Sequence, residues 1–130
     1  MLIDSDVLVW LTRGHPGAAA RLKQIGPWRI SAITYMELAQ GCRDKAELEH
    51  VKKALNSSGV QIVPANALIC ERAMRLIDLH ALSNGLRLAD ALIAATALEH
   101  GLPLLTANFK HFSPIDGLTV ERFDPMQDLG

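Results

Sequence analysis

The sequence has no excess of charge of either sign. It contains 13 lysine and arginine residues against 14 aspartate and glutamate residues, and its formal net charge is −1. A protein that holds nucleic acid mainly by displacing counterions usually carries a surplus of basic residues or a basic stripe. The basic residues here are dispersed along the chain. Any nucleic-acid partner therefore has to be inferred from a site and not from bulk charge.

Cysteines, long apolar runs and phosphate-binding loops are also scarce or absent. The two cysteines, Cys42 and Cys70, lie in helix-like segments without metal-ligand spacing, which predicts two buried free thiols. No apolar run approaches the length of a membrane span, and Asp4 and Asp6 interrupt the first one, so we expect no signal peptide and a soluble cytoplasmic protein. The chain has no glycine-rich phosphate loop and no nucleophile elbow.

About half of the residues are apolar, which is enough for one sizeable core, and the length fits a single domain over residues 1–130. Short apolar segments, typical of buried strands, alternate along the chain with segments of helical spacing. The predicted strands are residues 1–3, 28–31, 60–63, 104–106 and 118–123. The predicted helices are residues 7–11, 16–25, 34–42, 44–55, 67–81 and 88–100, with one short turn at 109–112. This alternation predicts the α/β class, with a mainly parallel central sheet flanked by helices.

Turn-forming residues separate several of these segments. The asparagine, serine and glycine residues at 56–59 and at 83–85 are typical of loops. Gly101 is the residue expected just beyond the last long helix. The polar residues from about 124 to 130 predict a frayed tail.

Several polar side chains are expected at the carboxyl ends of the strands, where open α/β sheets bind their ligands. Asp4 follows the first strand, Glu37 comes shortly after the second, and Thr106 and Asn108 end the fourth. Asp90 lies near the start of the helix at 88–100, whose N-terminus can point to the same edge. Three carboxylates from distant parts of the chain can thus converge.

Converging carboxylates repel one another and are costly to desolvate unless a cation joins them. Hard oxygen ligands suit Mg²⁺ or Mn²⁺. Such an ion polarises a phosphoryl oxygen and lowers the pKa of a bound water for in-line attack. The residues therefore point to a metal-dependent phosphoester chemistry. The five histidines show no ligand spacing.

Each of these acids also has a purely structural alternative. Asp4 could cap the first helix. Glu37 stands three residues after Thr34, which is the spacing of a capping box. Asp6 and Asp90 could be acids that a helix dipole favours near a helix start. The local sequence leaves these alternatives open, and the case for a site depends on the convergence of the residues.

Four segments carry these residues in order. They are residues 2–8 (LIDSDVL), 33–41 (ITYMELAQG), 88–97 (LADALIAATA) and 104–112 (LLTANFKHF). Together they resemble the signatures of the PIN-domain family over nearly the full chain, and within that family the chain is most similar to VapC-type toxins of toxin–antitoxin pairs. The resemblance implies a three-layer, Rossmann-like PIN domain that cleaves RNA.

The resemblance also assigns roles by position. It implies that Asp4, Glu37 and Asp90 are the catalytic, metal-binding carboxylates of a Mg²⁺ or Mn²⁺ site. Supporting polar residues would be Ser5, Thr106 and Asn108. It implies a homodimer and a cognate, VapB-like antitoxin. Because a guanidinium pairs with two carboxylate oxygens at once, we expect an Arg of that antitoxin to enter the acidic site while an apolar helix fills a groove.

The chain departs from the family pattern at two points. Many members carry a further acid in the fourth segment, where Asn108 or His111 stands here, and this departure favours one metal ion over two. The position two after the first aspartate is often Asn, and here it is Asp6. We therefore regard Asp6 as a possible additional metal ligand.

Two other classes of function compete with a ribonuclease. One is a non-catalytic RNA-binding or assembly module that keeps the fold, and the missing fourth acid supports it. The other is a different metal-dependent phosphoesterase that acts on small molecules. The short chain offers no cap domain to enclose a small substrate, and this argues against the second class.

Overall fold

The computed structural model describes residues 1–127, in which five strands alternate with seven helices. The strands are β1 (Leu2–Ile3), β2 (Arg29–Ser31), β3 (Gln61–Val63), β4 (Leu104–Thr106) and β5 (Val120–Arg122). The helices are α1 (Ser5–Thr12), α2 (Pro16–Ile25), α3 (Ala32–Gln40), α4 (Lys45–Ser58), α5 (Ala67–Asn84), α6 (Leu88–Glu99) and α7 (Phe109–Phe112). The predicted α/β class is confirmed.

The five strands form one parallel sheet in the order β3-β2-β1-β4-β5. Leu2 and Ile3 of β1 pair with Leu104 and Leu105 of β4, and Leu2 pairs with Arg29 of β2 on the other side. The chain therefore winds outward from β1 to β3 and then returns to β4 on the opposite side of β1. Such a reversal of strand order leaves a crevice at the carboxyl ends of the two strands where it occurs, here β1 and β4.

Neighbouring residues of a strand point to opposite faces of the sheet. Since both kinds of position are apolar here, helices cover both faces. Leu2 and Leu104 belong to one cluster of buried side chains, which includes Ile69 of α5 and the alanines of α6. Ile3 and Leu105 belong to a second cluster, with apolar residues of α1, α2, α3 and α4. The predicted three-layer, Rossmann-like arrangement is confirmed.

Helix α6 is buried along most of its length. Its buried residues are Ala91, Ile93, Ala94, Ala95, Thr96 and Ala97. Small side chains keep this helix thin, so that α5 and the sheet pack closely around it. The N-terminal turn of α6, which carries Asp90, is therefore held by a well-packed element.

Two helices run further than the sequence predicts. Residues 56–58 and 83–84, which were predicted as loops, form the last turns of α4 and α5, so those two predictions are wrong. Both helices end at a left-handed glycine, Gly59 (φ 66°) and Gly85 (φ 69°). Only glycine adopts this conformation without strain, and its position fixes the helix end. Helices α1 and α3 also begin two residues earlier than predicted, directly at the strand ends.

The burial of the two cysteines agrees only in part with the prediction. Cys42 is half-buried and its Sγ donates to Leu38 O at 3.3 Å, but Cys70 is exposed, so the prediction of two buried thiols is wrong for Cys70. Cys70 therefore lies on the exposed side of α5. None of the helices in residues 1–127 is long and apolar enough to cross a membrane.

The segment predicted as a frayed tail begins with a turn at residues 124–127. Met126 N donates to Asp124 Oδ1 at 2.9 Å, and the ring of His15 joins this turn to α2, with Nε2 at 2.9 Å from Pro125 O. The remainder of the predicted tail, residues 128–130, lies outside the described residues.

Candidate active site

Asp4 lies in the crevice between β1 and β4, directly after the last residue of β1. Its side chain is the N-cap of α1, with Oδ1 accepting from Ser5 N at 2.8 Å. Its other oxygen, Oδ2, accepts from the hydroxyl of Thr106 at 2.7 Å, and Thr106 itself is fully buried at the end of β4. The capping role is therefore real, but it uses only one of the two carboxylate oxygens. The second oxygen ties the ends of the two central strands together.

The carboxyl of Asp4 is only 5% exposed. Its pKa is raised from 3.8 to about 7, chiefly by burial and also by the charges of Asp6 and Asp90, while the hydrogen bonds from Thr106 and Ser5 oppose the rise. An ionised Asp4 is thus costly in the free protein. A buried carboxylate under such conditions favours either a proton or a cation.

Asp6 lies beside Asp4, in the first turn of α1. Its carboxylate accepts from Ala107 N, at 3.2 Å to Oδ2 and 3.3 Å to Oδ1, and its Oδ2 is 3.4 Å from Thr106 Oγ1. Burial raises the pKa of Asp6, and the charge of Asp90 also raises it. Asp6 therefore adds negative charge to the crevice and also fastens α1 to the segment after β4.

Glu37 is placed by α3, which begins at Ala32 with Ser31 as its N-cap. Ser31 Oγ accepts from Thr34 N at 3.1 Å, so Glu37 lies in the second turn and not at the N3 position. The capping-box alternative for Glu37 is therefore excluded. Its Oε1 accepts from Ser5 Oγ at 3.0 Å. Ser5 is also 3.5 Å from Asp4 Oδ1 and so links the two acids.

Asp90 occupies the N3 position of α6, where its Oδ2 accepts from Arg87 N at 3.3 Å. The structural alternative of a helix-start acid is thus present here as well. The same oxygen is 3.1 Å from Nδ1 of His111. Within residues 1–127 no donor lies within hydrogen-bond distance of the other oxygen, Oδ1. This oxygen remains available for a ligand.

The fourth segment bends back to Asp90 through α7. Asn108 N donates to Thr106 Oγ1 at 2.9 Å, and Nδ2 of the Asn108 side chain is 2.8 Å from His111 Nδ1. The Asn108 side chain thus reaches Asp90 through His111 and does not contact a carboxylate itself. The sequence analysis named His111 only as standing where many family members carry a further acid, and it gave this residue no role. A second signal is its place three residues after Asn108, one helical turn on.

The crevice therefore gathers Asp4, Asp6 and Asp90 on one side and Glu37, joined through Ser5, on the other. The charge of Asp90 raises the pKa of both Asp4 and Asp6, so its carboxylate is close enough to repel both of them. Nevertheless, no three His, Cys, Asp or Glu side chains of residues 1–127 are arranged to ligate one metal ion directly. A cation here would bind partly through water.

A groove of about 720 Å³ between α1, α3 and α4 reaches this site. Its apolar lining comes from Val9, Leu38, Cys42 and Val51, and Glu37 stands in its wall. Arginine, histidine and glutamate side chains line the rest. One acid of the site is therefore also part of a groove that has both apolar and charged side chains in its lining.

Residues 1–118 match the family model described as "PIN domain". The chain is 38% identical over 122 residues to Ribonuclease VapC10 of Mycobacterium tuberculosis, covering 91% of this chain and 90% of that protein. Among solved structures, it is similar to a toxin–antitoxin complex from Klebsiella pneumoniae, with a TM-score of 0.78, 34% identity, and coverage of 95% and 96% of the two chains.

A further solved structure, VapBC2 from Rickettsia felis bound to a DNA fragment from its promoter, has a TM-score of 0.82 at 23% identity, with coverage of 95% of this chain and 98% of that chain. At that identity the likeness concerns the fold alone. The fold is the same as that derived above, with a parallel sheet of five strands flanked by helices.

Proposed function

The chain belongs to the PIN-domain family, and from that premise we propose that it is a metal-dependent endoribonuclease that acts as the toxin of a toxin–antitoxin pair. The observation that carries the proposal is the buried carboxyl of Asp4, which shares its crevice with Asp6 and Asp90. The relative from Mycobacterium tuberculosis is named a ribonuclease, which supports RNA as the substrate. A site at the open end of the sheet also suits a polymer better than a small molecule.

The residues present fit Mg²⁺ or Mn²⁺. All candidate ligands are carboxylate oxygens, which are hard donors, and these ions keep several waters when they bind. That preference agrees with a site in which the acids are not close enough to ligate one ion together. We assign the ion to Asp4 and Asp90, with Glu37 completing the site and Asp6 as an additional acid. When bound, the ion lowers the pKa of a bound water and stabilises charge on the scissile phosphate.

The chain's own groups have separate tasks in this hydrolysis. Thr106 donates to Asp4 Oδ2 and keeps that carboxylate oriented in the crevice. Ser5 donates to Glu37 Oε1, which leaves Oε2 to accept a proton from the attacking water. Glu37 is exposed on α3 and so faces solvent from which that water comes.

The test is cleavage of a mixed tRNA and mRNA pool by purified protein with Mg²⁺, with Mn²⁺ and with EDTA. We expect discrete cuts with either ion and none with EDTA, because without a cation the buried acids repel the phosphate. A chromogenic phosphodiester serves as the small-molecule control and should be cut poorly or not at all. Preferential cleavage of the small diester would favour the phosphoesterase alternative. A folded, antitoxin-free protein that cuts nothing would favour the binding module.

We propose that the groove between α1, α3 and α4 receives an apolar helix of a VapB-like antitoxin. The volume of the groove, the apolar side chains in its lining and the presence of Glu37 in its wall support this partner. The similar complex from Klebsiella pneumoniae is described as a toxin–antitoxin complex. An Arg that follows such a helix would reach the acids and pair with carboxylate oxygens.

We therefore expect one arginine of the antitoxin to be required for inhibition of RNA cleavage. Changing that Arg to Ala should cost about 2–5 kcal/mol of binding, because it leaves the buried acids without a partner. The measurement is RNA cleavage at increasing antitoxin concentration, with each antitoxin Arg replaced in turn. Lysine replacement at the same position is the control and should restore part of the inhibition. The idea fails if every Arg can be replaced by Ala without loss of inhibition.

A homodimer is part of the same proposal. Helix α5 exposes Leu68, Leu79 and Leu82 on one face, with exposed fractions of 60%, 68% and 102%. Three leucines at helical spacing on one face suit contact with a second copy.

A further inference from the structure

His111 is the one histidine that contacts a carboxylate of the site among residues 1–127. We propose that His111 is a positioning residue for Asp90: its Nδ1–H holds Oδ2 of Asp90 and leaves Oδ1 to face the metal ion. The inference rests on the proposed metal-dependent function. It assigns to His111 a role that the three acids cannot fill for one another, since ionised carboxylates only repel.

The geometry distinguishes the two oxygens of Asp90. Oδ2 accepts from Arg87 N at 3.3 Å and lies 3.1 Å from His111 Nδ1, whereas Oδ1 has no donor within residues 1–127. Two donors on one oxygen fix the rotation of the carboxylate about its side chain. The oxygen that carries no hydrogen bond is then the one presented to a cation. Groups that hold a metal ligand in this way commonly matter for affinity.

The neighbours of the His111 ring indicate which of its nitrogens carries the hydrogen. An ionised carboxylate only accepts hydrogen bonds, so Nδ1 must carry the hydrogen when Asp90 is ionised. The amide atom placed 2.8 Å from the same nitrogen is Nδ2 of Asn108, which cannot accept a hydrogen bond, so the amide must turn by half a rotation to present its oxygen when Nδ1 carries the hydrogen. In that state Asn108 and Asp90 are both acceptors for one N–H.

The ring itself is held by the fold. His111 follows Phe109 within α7, and the next residue, Phe112, is fully buried in the core against α6. The side chain of His111 is about one third exposed, so its replacement removes a contact at the site and leaves the core intact. The chain also offers a matched control. His80 on α5 makes a similar contact, with Nδ1 at 2.9 Å from Asn84 Nδ2, and its ring makes no hydrogen bond to Asp4, Asp6, Glu37 or Asp90.

The experiment measures Mn²⁺ binding to the full chain by calorimetry and by electron paramagnetic resonance, for the wild type, His111→Ala, His111→Asn and His80→Ala. We expect His111→Ala to weaken binding by about 10–100-fold. Asn carries an N–H close to the position of Nδ1, so His111→Asn should restore most of the affinity. His80→Ala should bind as the wild type does. Thermal melting checks that each variant is folded.

The outcomes separate the inference from the function on which it rests. If the wild type binds no Mn²⁺, the proposed function fails first. If the wild type binds and His111→Ala binds equally well, the positioning role is wrong. It is also wrong if the spin signal of bound Mn²⁺ shows direct coordination by an imidazole nitrogen that His111→Ala removes, because His111 would then be a ligand. Recovery in His111→Asn without such a signal supports positioning.

Discussion

Asp90→Asn is expected to abolish RNA cleavage while the protein stays folded. The amide can still accept from Arg87 N and so keep its place at the start of α6. Its nitrogen, however, would replace one carboxylate oxygen and remove the charge that we propose to hold a cation. We expect the cleavage rate to fall by more than about 100-fold, since even partners that only orient a ligand cost about 10–100-fold.

The control for this variant is Asp78→Asn, which makes the same chemical change on the exposed face of α5. It should cleave RNA as the wild type does. The two variants should be compared in the same RNA pool, with metal titrated to saturation, so that a loss of affinity is separated from a loss of rate. Wild-type cleavage by a clean preparation of Asp90→Asn would remove Asp90 from the site.

Asp4→Asn is expected to stabilise the metal-free protein at pH 8 by an amount on the order of 2–4 kcal/mol, because burial and the neighbouring acids together raise the pKa of Asp4 from 3.8 to about 7. At pH 8 the wild type must hold an ionised and buried carboxylate beside Asp6 and Asp90. The amide carries no charge and can still accept from Ser5 N as an N-cap. The hydroxyl of Thr106 can turn to Asp6 Oδ2, 3.4 Å away.

The direction of the pH dependence follows from the raised pKa. Between pH 3.8 and about 7 the folded protein binds a proton at Asp4 that the unfolded chain has released. The free energy of unfolding of the wild type therefore falls as pH rises through this window and then levels off. The free energy of unfolding of Asp4→Asn does not fall in this way, because the amide does not ionise. Its advantage over the wild type should be largest above pH 7 and should shrink as the pH falls toward 4.

Urea unfolding in EDTA at several pH values measures this effect. Asp78→Asn should show no such pH-dependent gain, because that carboxyl is exposed. With saturating Mg²⁺ the order should reverse, since an ion that binds only the folded wild type stabilises it. A variant that is no more stable than the wild type at pH 8 would mean that the crevice holds ionised Asp4 without strain.

The two expected results have one physical origin. The fold holds the carboxylates of the proposed site close together although they repel one another. Hydrogen bonds from neighbouring groups oppose this repulsion. Thr106, Ser5 and the backbone of Ala107 donate to Asp4, Glu37 and Asp6, but these hydrogen bonds do not cancel the effect of burial on Asp4. We expect a cation to complete that compensation.

The strands and helices could be predicted because residue type and spacing within each short segment determine where they form and end. Short apolar segments such as residues 104–106 form strands, and Pro16 and Gly26 fix the ends of α2 as predicted. The errors have local causes too. Ser83 and Asn84 were predicted as a loop from their residue type, but they complete the last turn of α5 because the helix ends at Gly85.

The sequence by itself determined the α/β class, the order of strands and helices, and the small set of acids that follow strands or begin helices. Those properties depend on residue spacing, which the chain carries in one dimension. Only the tertiary structure decided how the acids meet. The pairing of β1 with β4 brings Thr106 to Asp4, and the packing of α7 on α6 brings His111 to Asp90. These contacts join residues 102 and 21 positions apart, and no local propensity encodes such distances.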